Sequence, residues 1–131
     1  GKPLRGARVL VLGVAFKPDI DDARNSPAER VIELLLSRGA SVRYHDPYVP
    51  QFKVGNDVFH REPVILDSVL LTPQEIADAD CVVVVTGHHS LDYAQIVSNA
   101  RLVVDTCNAT AQVSEHRDKI VRLGAPLPKV E

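Results

Sequence analysis

The run "ARVLVLGVAF", Ala7 to Phe16, is almost free of polar residues and leads into a segment with the marks of a helix. A strand that is apolar on both faces has to be covered on both faces, as strands of a parallel sheet are. The following "SPAERVIELLLSRG" has Ser26 in the N-cap position, Pro27 first in the helix, Glu29 third, and Gly39 as the stop. Val31, Leu34, Leu35 and Arg38 recur at helical spacing and predict the stripe that packs on the sheet. "ASVRYHDP" then reads as a second strand, ended by Asp46 and Pro47. This is a βαβ unit, whose parallel crossover is right-handed almost without exception.

The alternation continues. "TPQEIADA" is a short helix with Thr72 as N-cap and Pro73 first, "DCVVVVTG" a buried strand, and "SLDYAQIVSN" a helix with Ser90 as its cap. "ARLVVDTC" is a further strand, and "QVSEHRDKIVRLG" reads as a closing helix over about 112–123. Residues 48–72 are less regular, and "VGNDV" reads as a turn between two short extended pieces, a hairpin or excursion. The tail "GAPLPKVE" reads as frayed. The expected fold is α/β: a Rossmann-like, doubly wound, mainly parallel sheet flanked by helices. It forms a single domain over 1–131, with a core over about 4–110.

Charge narrows the function. Fifteen Lys and Arg against seventeen Asp and Glu leave a net charge of −2, which argues against a nucleic-acid partner. No apolar run approaches the roughly 18 residues of a membrane span, and no signal peptide opens the sequence. Two cysteines do not make a disulfide framework, so the cytoplasm is the expected location. Cys81 lies in an apolar run and reads as a small buried hydrophobe, whereas Cys107 follows a strand and reads as more accessible. Gly1 is not an initiator Met and the sequence contains no Met, so a fragment or a processed chain is expected.

Ligands of open parallel sheets sit outside the carboxyl ends of the strands. The polar residues collect at those ends, in "FKPDIDDAR", "HDP", "TGHHS" and "DTCN". A dinucleotide would require G-x-G-x-x-G after the first strand, so that backbone can approach a pyrophosphate. Here Gly13 is followed by Val14, Ala15, Phe16 and Lys17. The first turn is therefore built with side chains, and a lysine there can meet a phosphate as a point charge. Asp46 sits where a ribose-binding acid would sit, but a turn-capping role is favoured without the glycines.

"VLGVAFKPDIDDARNSPA" resembles the signature of the C-terminal, UDP-binding domain of the UDP-glucose and UDP-N-acetylhexosamine 6-dehydrogenase superfamily. The family pattern reappears in order at "GASVRYHDPYVP", "ADADCVVVVTGHHSLDY" and "RLVVDTCNAT", covering roughly Leu4 to Thr110. The segment before "LTPQEI", with "HDPYVP" and "DTCNAT", is more similar to the UDP-N-acetylglucosamine and related N-acetylhexosamine branch. The resemblance implies oxidation of the sugar C6 hydroxymethyl to a carboxylate in two NAD-dependent steps, through a thiohemiacetal on a cysteine. It implies a UDP-sugar substrate, a homo-oligomeric full-length enzyme, and a place in polysaccharide and cell-envelope synthesis. Phe16 and Lys17 match the family's "FK" pair that meets the UDP-sugar. Arg24 matches the arginine of the "D-D-x-R" element that reaches towards NAD. The glycine-rich NAD motif and the segment with the nucleophilic cysteine are absent from these residues, so the piece alone is expected not to transfer hydride. A stand-alone, non-catalytic nucleotide-binding module is the alternative.

Many members carry an arginine where this sequence has Cys107, so no phosphate contact carries over there. Asn25 replaces a frequent glutamate and Pro18 a frequent lysine. Asp19, Asp21 and Asp22 lack the loop glycine and distal glutamate of a calcium site, and are expected to orient Lys17 and Arg24. Adjacent His88 and His89 point to opposite sides of an extended segment, which favours structural or interdomain roles over zinc. Cys107 has no histidine adjoining it in sequence and does not match the family nucleophile.

Overall fold

The computed structural model describes residues 4–55 and 63–123. Arg8–Leu12 forms β1 and Ser41–His45 forms β2, with helix α1, Pro27–Ser37, between them. The hairpin strands β3 and β4 are Gln51–Val54 and Val64–Asp67. Helix α2 is Pro73–Asp78, β5 Cys81–Val84, α3 Tyr93–Asn99, β6 Val103–Asp105 and β7 Ile120–Arg122. Among the described residues, one sheet runs β2-β1-β5-β6-β7 with every neighbouring pair parallel. The expected doubly wound α/β sheet is therefore present. Its order reverses between β1 and β5, and such a switch point is where open α/β sheets form their crevice.

Period-two alternation on β1 explains the two layers. Val9 and Val11 face a core with Ala28 and Ile32 of α1, Val42, Tyr44, Phe52 and Val54. Leu10 and Leu12 face the other, with Ile76, Val82, Val84, Ile96 and Val97. A strand with both faces buried has no solvent side, which is why its sequence reads as a continuous apolar run. The run was expected to extend to Phe16, but β1 ends at Leu12 because Gly13 takes φ +84°. A side chain is excluded at Gly13 as well, since a Cβ there would lie 2.2 Å from the Thr86 carbonyl oxygen.

Caps follow the sequence in α1 and α2: Ser26 accepts from the Ala28 amide and Thr72 from the Glu75 amide. The α1 stripe is rotated from expectation. Ala28 and Ile32 are buried and Leu34 is exposed, because the helix also packs against β3, and that second neighbour turns its inward face. The cap of α3 is Asp92, which accepts from the Gln95 amide, and not Ser90. A carboxylate in that position also meets the positive end of the helix.

The irregular stretch does form a hairpin, with Gln51 opposite Asp67 and Val54 opposite Val64. Of its expected turn, "VGNDV", only Val54 and Gly55 lie within the described residues, and the tail "GAPLPKVE" lies outside them. The expected closing helix is absent. Arg117–Lys119 is a 3-10 turn and Ile120–Arg122 extends the sheet as β7. Two cations fix this arrangement: Arg117 donates to the Thr110 and Val113 carbonyls, and Lys119 to the Val97 and Ser98 carbonyls at the end of α3. The β-branched Ile120 and Val121 then cover what would otherwise be the bare edge of β6.

Gly13→Ala should destabilise the chain by about 3 kcal/mol or more, the sum of left-handed strain and overpacking against Thr86. Urea denaturation followed by far-UV circular dichroism measures it; a loss below about 1 kcal/mol would contradict this account of the turn.

Candidate functional site at the carboxyl ends of the strands

The turn after β1 is held by a carboxylate from the end of β2. Asp46 is buried, and its Oδ2 accepts the amides of Val14 at 2.8 Å and Ala15 at 3.1 Å. Its Oδ1 accepts the Tyr48 amide at 2.8 Å. Hydroxyls of Thr86, at 2.6 Å, and Ser26, at 3.5 Å, donate to the Ala15 carbonyl. The turn-capping reading of Asp46 therefore holds. It has a chemical consequence: the two amides that a glycine-rich turn would offer to a pyrophosphate already bind a carboxylate of the same chain. The residues present do not make a dinucleotide cradle at this turn.

Beyond it, the segment from Phe16 to Asp22 closes on itself through the Phe16 amide, which donates to the Asp22 carbonyl at 2.6 Å. Asp19 sits at the tip with φ +64°. Its amide donates to His88 Nδ1 at 2.8 Å, while its carboxylate accepts the His89 amide at 2.8 Å and faces His89 Nδ1 at 2.6 Å. These bonds to His89, the side-chain one first, hold the Asp19 carboxyl below the usual range. His88 is completely buried and its Nε2 lies 2.8 Å from Asp46 Oδ2. A backbone amide can only donate, so Nδ1 of His88 carries no proton and Nε2–H is the donor to Asp46. The two adjacent histidines are thus structural and clamp the tip of the loop to the sheet, as one of the two readings favoured for them had it.

Phe16 and Lys17 both lie on the surface of this clamped loop. Phe16 is 47% exposed, and Lys17 Nζ stands 5.9 Å from its ring centroid, at the outer limit of a cation–π contact. Among the described residues, Lys17 has no carboxylate partner, so the aspartates do not orient it as expected. Arg24 is oriented by one of them. Its Nε and terminal nitrogen bind both oxygens of Asp22, at 3.1 and 3.0 Å, with the arginine side chain 87% exposed. The hydrogen bond from the Arg24 side chain, then that from its amide, lowers the Asp22 carboxyl to about 2. Asn25 follows in the left-handed region and leads directly into the Ser26 cap.

At the end of β6 a second buried carboxylate ties a loop. Asp105 accepts the amides of Cys107, Ala109 and Thr110 and, at 2.6 Å, the Thr110 hydroxyl. Burial pushes Asp105 up, but the hydroxyl and amides of this loop outweigh it and hold the carboxyl below its ordinary range. The same loop carries Cys107, which is exposed as expected, and desolvation of its thiol together with the nearby Asp105 pushes it up to about 11. A thiol of that kind is not a thiolate at neutral pH, which argues against a nucleophilic role. Among the described residues no group of three or more His, Cys, Asp or Glu is placed to hold a metal ion, and no helix is long and apolar enough to cross a membrane.

The loops after β1, β5 and β6 border a groove of about 520 Å³, lined by Pro18, Gly87, His89, Tyr93, Cys107 and Val113 among others. Its size falls within the range of small-molecule sites. Sequence reasoning did not find the roles of Asp105 and Thr86. An aspartate at a strand end followed by small polar residues is a turn signal that could have pointed to the first. Nothing local marks the second.

The chain matches the UDP-glucose/GDP-mannose dehydrogenase family, UDP binding domain, over residues 10–112. It is 31% identical to the UDP-glucose 6-dehydrogenase of Rhizobium meliloti (strain 1021), over 96% of this chain and 29% of that protein. It is 32% identical to a UDP-N-acetyl-D-mannosamine dehydrogenase of Methanococcus maripaludis, over 62% of this chain and 16% of that protein. Among solved structures, an NDP-N-acetyl-D-galactosaminuronic acid dehydrogenase from Methanosarcina mazei Go1 superimposes with a TM-score of 0.67. That pair is 30% identical over 93% of this chain and 25% of the other. The chain thus spans less than a third of the length of these relatives.

The Asp105 knot has a pH signature. Its folded-state pKa is depressed, so its stabilisation is fully present above the ordinary carboxylate value of 3.8 and is lost as pH falls below it. Thermal melts of the parent chain from about pH 7 to about pH 2 should steepen below about pH 4. In Asp105→Asn that acid-side slope should be shallower and the neutral-pH stability lower by about 2 kcal/mol. Identical slopes would contradict the assignment.

Proposed function

The chain belongs to the UDP-glucose/GDP-mannose dehydrogenase family through its UDP binding domain, and from that membership we propose that it is the substrate-binding part of an NAD-dependent UDP-sugar 6-dehydrogenase. The observation that carries the reading is the exposed Phe16–Lys17 pair on a clamped loop at the carboxyl end of β1. With the turn amides taken by Asp46, recognition of an anion at this loop falls to side chains. An ammonium group without a carboxylate partner among the described residues, next to an exposed aromatic face, suits a diphosphate next to a flat base.

The parent enzyme oxidises the sugar C6 hydroxymethyl to a carboxylate, and NAD accepts the hydride. NAD is held by other segments of the parent, because the turn after β1 does not fit a dinucleotide. Arg24 meets it from this side; its guanidinium is exposed and held outward by Asp22. The present piece, tested alone, does not transfer hydride. The sugar is a UDP-N-acetylhexosamine, a reading supported by "HDPYVP", "DTCNAT" and the segment before "LTPQEI", which contains the β3–β4 hairpin. The relatives carry both glucose and N-acetylmannosamine names, so activity on UDP-glucose is the outcome that would overturn this finer assignment. Homo-oligomeric assembly, a cytoplasmic location and a place in polysaccharide synthesis belong to the same proposal.

Titration of UDP into the chain, followed by the backbone amides of residues 13–24, tests the binding role. Saturable shifts confined to this loop are expected, and Lys17→Ala should weaken binding about tenfold, the worth of one charge-assisted hydrogen bond. Shifts that are absent at millimolar UDP, or equal affinity in the variant, would contradict it. In the parent enzyme, Arg24→Ala should raise the KM for NAD with the KM for UDP-sugar unchanged.

A further inference from the structure

We infer that His88 is a positioning residue: its neutral ring, protonated at Nε2 and bare at Nδ1, spans from Asp46 to the Asp19 amide and so holds Lys17 in place for the anionic ligand. The inference rests on the UDP-binding reading and adds to it a residue that lies outside the exposed loop.

The geometry is a strut with two ends. At one end Nε2–H donates at 2.8 Å to Asp46 Oδ2, the same oxygen that accepts the Val14 and Ala15 amides. At the other end Nδ1 accepts the Asp19 amide at 2.8 Å. The ring therefore fixes residues 14–15 relative to residue 19, and Lys17 lies between those two anchor points. Asp19 takes a left-handed conformation, at φ +64°, that a non-glycine residue adopts at a cost of about 1 kcal/mol or more. Something must hold it there, and the imidazole does so together with His89 on the Asp19 carboxylate.

The ring itself has little freedom. It is wholly buried, the Tyr48 ring lies against it at 4.8 Å between centroids, and the Tyr93 hydroxyl donates at 2.8 Å to the His88 carbonyl. Its proton cannot move to Nδ1 without placing two donors head to head at the Asp19 amide. A carboxylate and an amide at the two ends thus select one tautomer, and that tautomer selects the loop conformation.

Two amide side chains separate the ends of the strut, because the polar atoms of asparagine sit at the depth of Nδ1 and those of glutamine at the depth of Nε2. His88→Gln keeps a donor for Asp46 and gives up the acceptor for Asp19. His88→Asn does the reverse. In the parent chain, ring nitrogen NMR should show Nε2 protonated and Nδ1 unprotonated, and the Asp19 amide should be protected from exchange. His88→Gln should lose that protection and bind UDP about tenfold more weakly, with a urea midpoint near that of the parent. His88→Asn should lower the midpoint and keep the Asp19 amide protected, with a loss of UDP affinity smaller than that of His88→Gln.

A ring carrying its proton on Nδ1, or two variants that lower stability alike with unchanged affinity, would overturn the inference. If the unsubstituted chain shows the stated tautomer and a protected Asp19 amide yet binds no UDP, the loop-holding role stands and the UDP reading falls.

Discussion

One buried carboxylate organises the ligand end of this domain. Asp46 gathers the Val14, Ala15 and Tyr48 amides and the His88 ring, which come from the ends of three different strands. A carboxylate removed from water is tolerated only when its lone pairs are taken, and here four donors take them. Removing it would leave the amides of Val14 and Ala15 buried without a partner, so the fold at the switch point depends on this one group more than on any single apolar contact.

That use of the carboxylate also decides what the domain can recognise. A Rossmann turn of the dinucleotide kind leaves its amides open for phosphate, and glycines let the phosphate approach. Here an internal anion occupies the amides, and the chain beyond the turn carries Phe16, Lys17 and Arg24 outward. On the proposed function, the scaffold is retained while the recognition chemistry moves from backbone to side chains. Asp105 at β6 repeats the device, tying the loop from Cys107 to Thr110 with one carboxylate. Both strand ends are thus rigid before any ligand arrives, which lowers the ordering cost of binding.

How much of this the sequence disclosed depends on how far apart the partners lie. Ser26, Pro27 and Thr72 act within a few residues, and local chemistry placed the βαβ unit and two of the caps. The hairpin was legible from its flanking extended pieces. The closing helix was not, because its fate rests on Arg117 and Lys119 reaching carbonyls 22 residues away at the furthest, and on an open strand edge beside it. The α1 stripe was misjudged for the same reason: β3 supplies a second neighbour that periodicity cannot show. At the site, the exposure of Lys17 and Arg24 followed from the charged turn, whereas that of Phe16, read as the end of a buried strand, did not, and the pairing of Asp46 with His88 joins residues 42 apart and has no local sign.

The two kinds of residue divide the work at this turn. On the proposed function, those that face solvent, Lys17 and Arg24, can change with the ligand: among the described residues Lys17 has no carboxylate partner, and Arg24 pairs with Asp22 at the surface. Those beneath them cannot change one at a time: a neutral partner for Asp46 disturbs His88, and a different ring at His88 releases Asp19. Substrate choice can therefore, on the proposed function, vary through the outer layer, while the inner layer keeps the turn in one shape. A rigid support below a replaceable surface is the condition under which side-chain recognition can be as definite as a backbone cradle, since side chains on a loose turn would have to be ordered by the ligand itself.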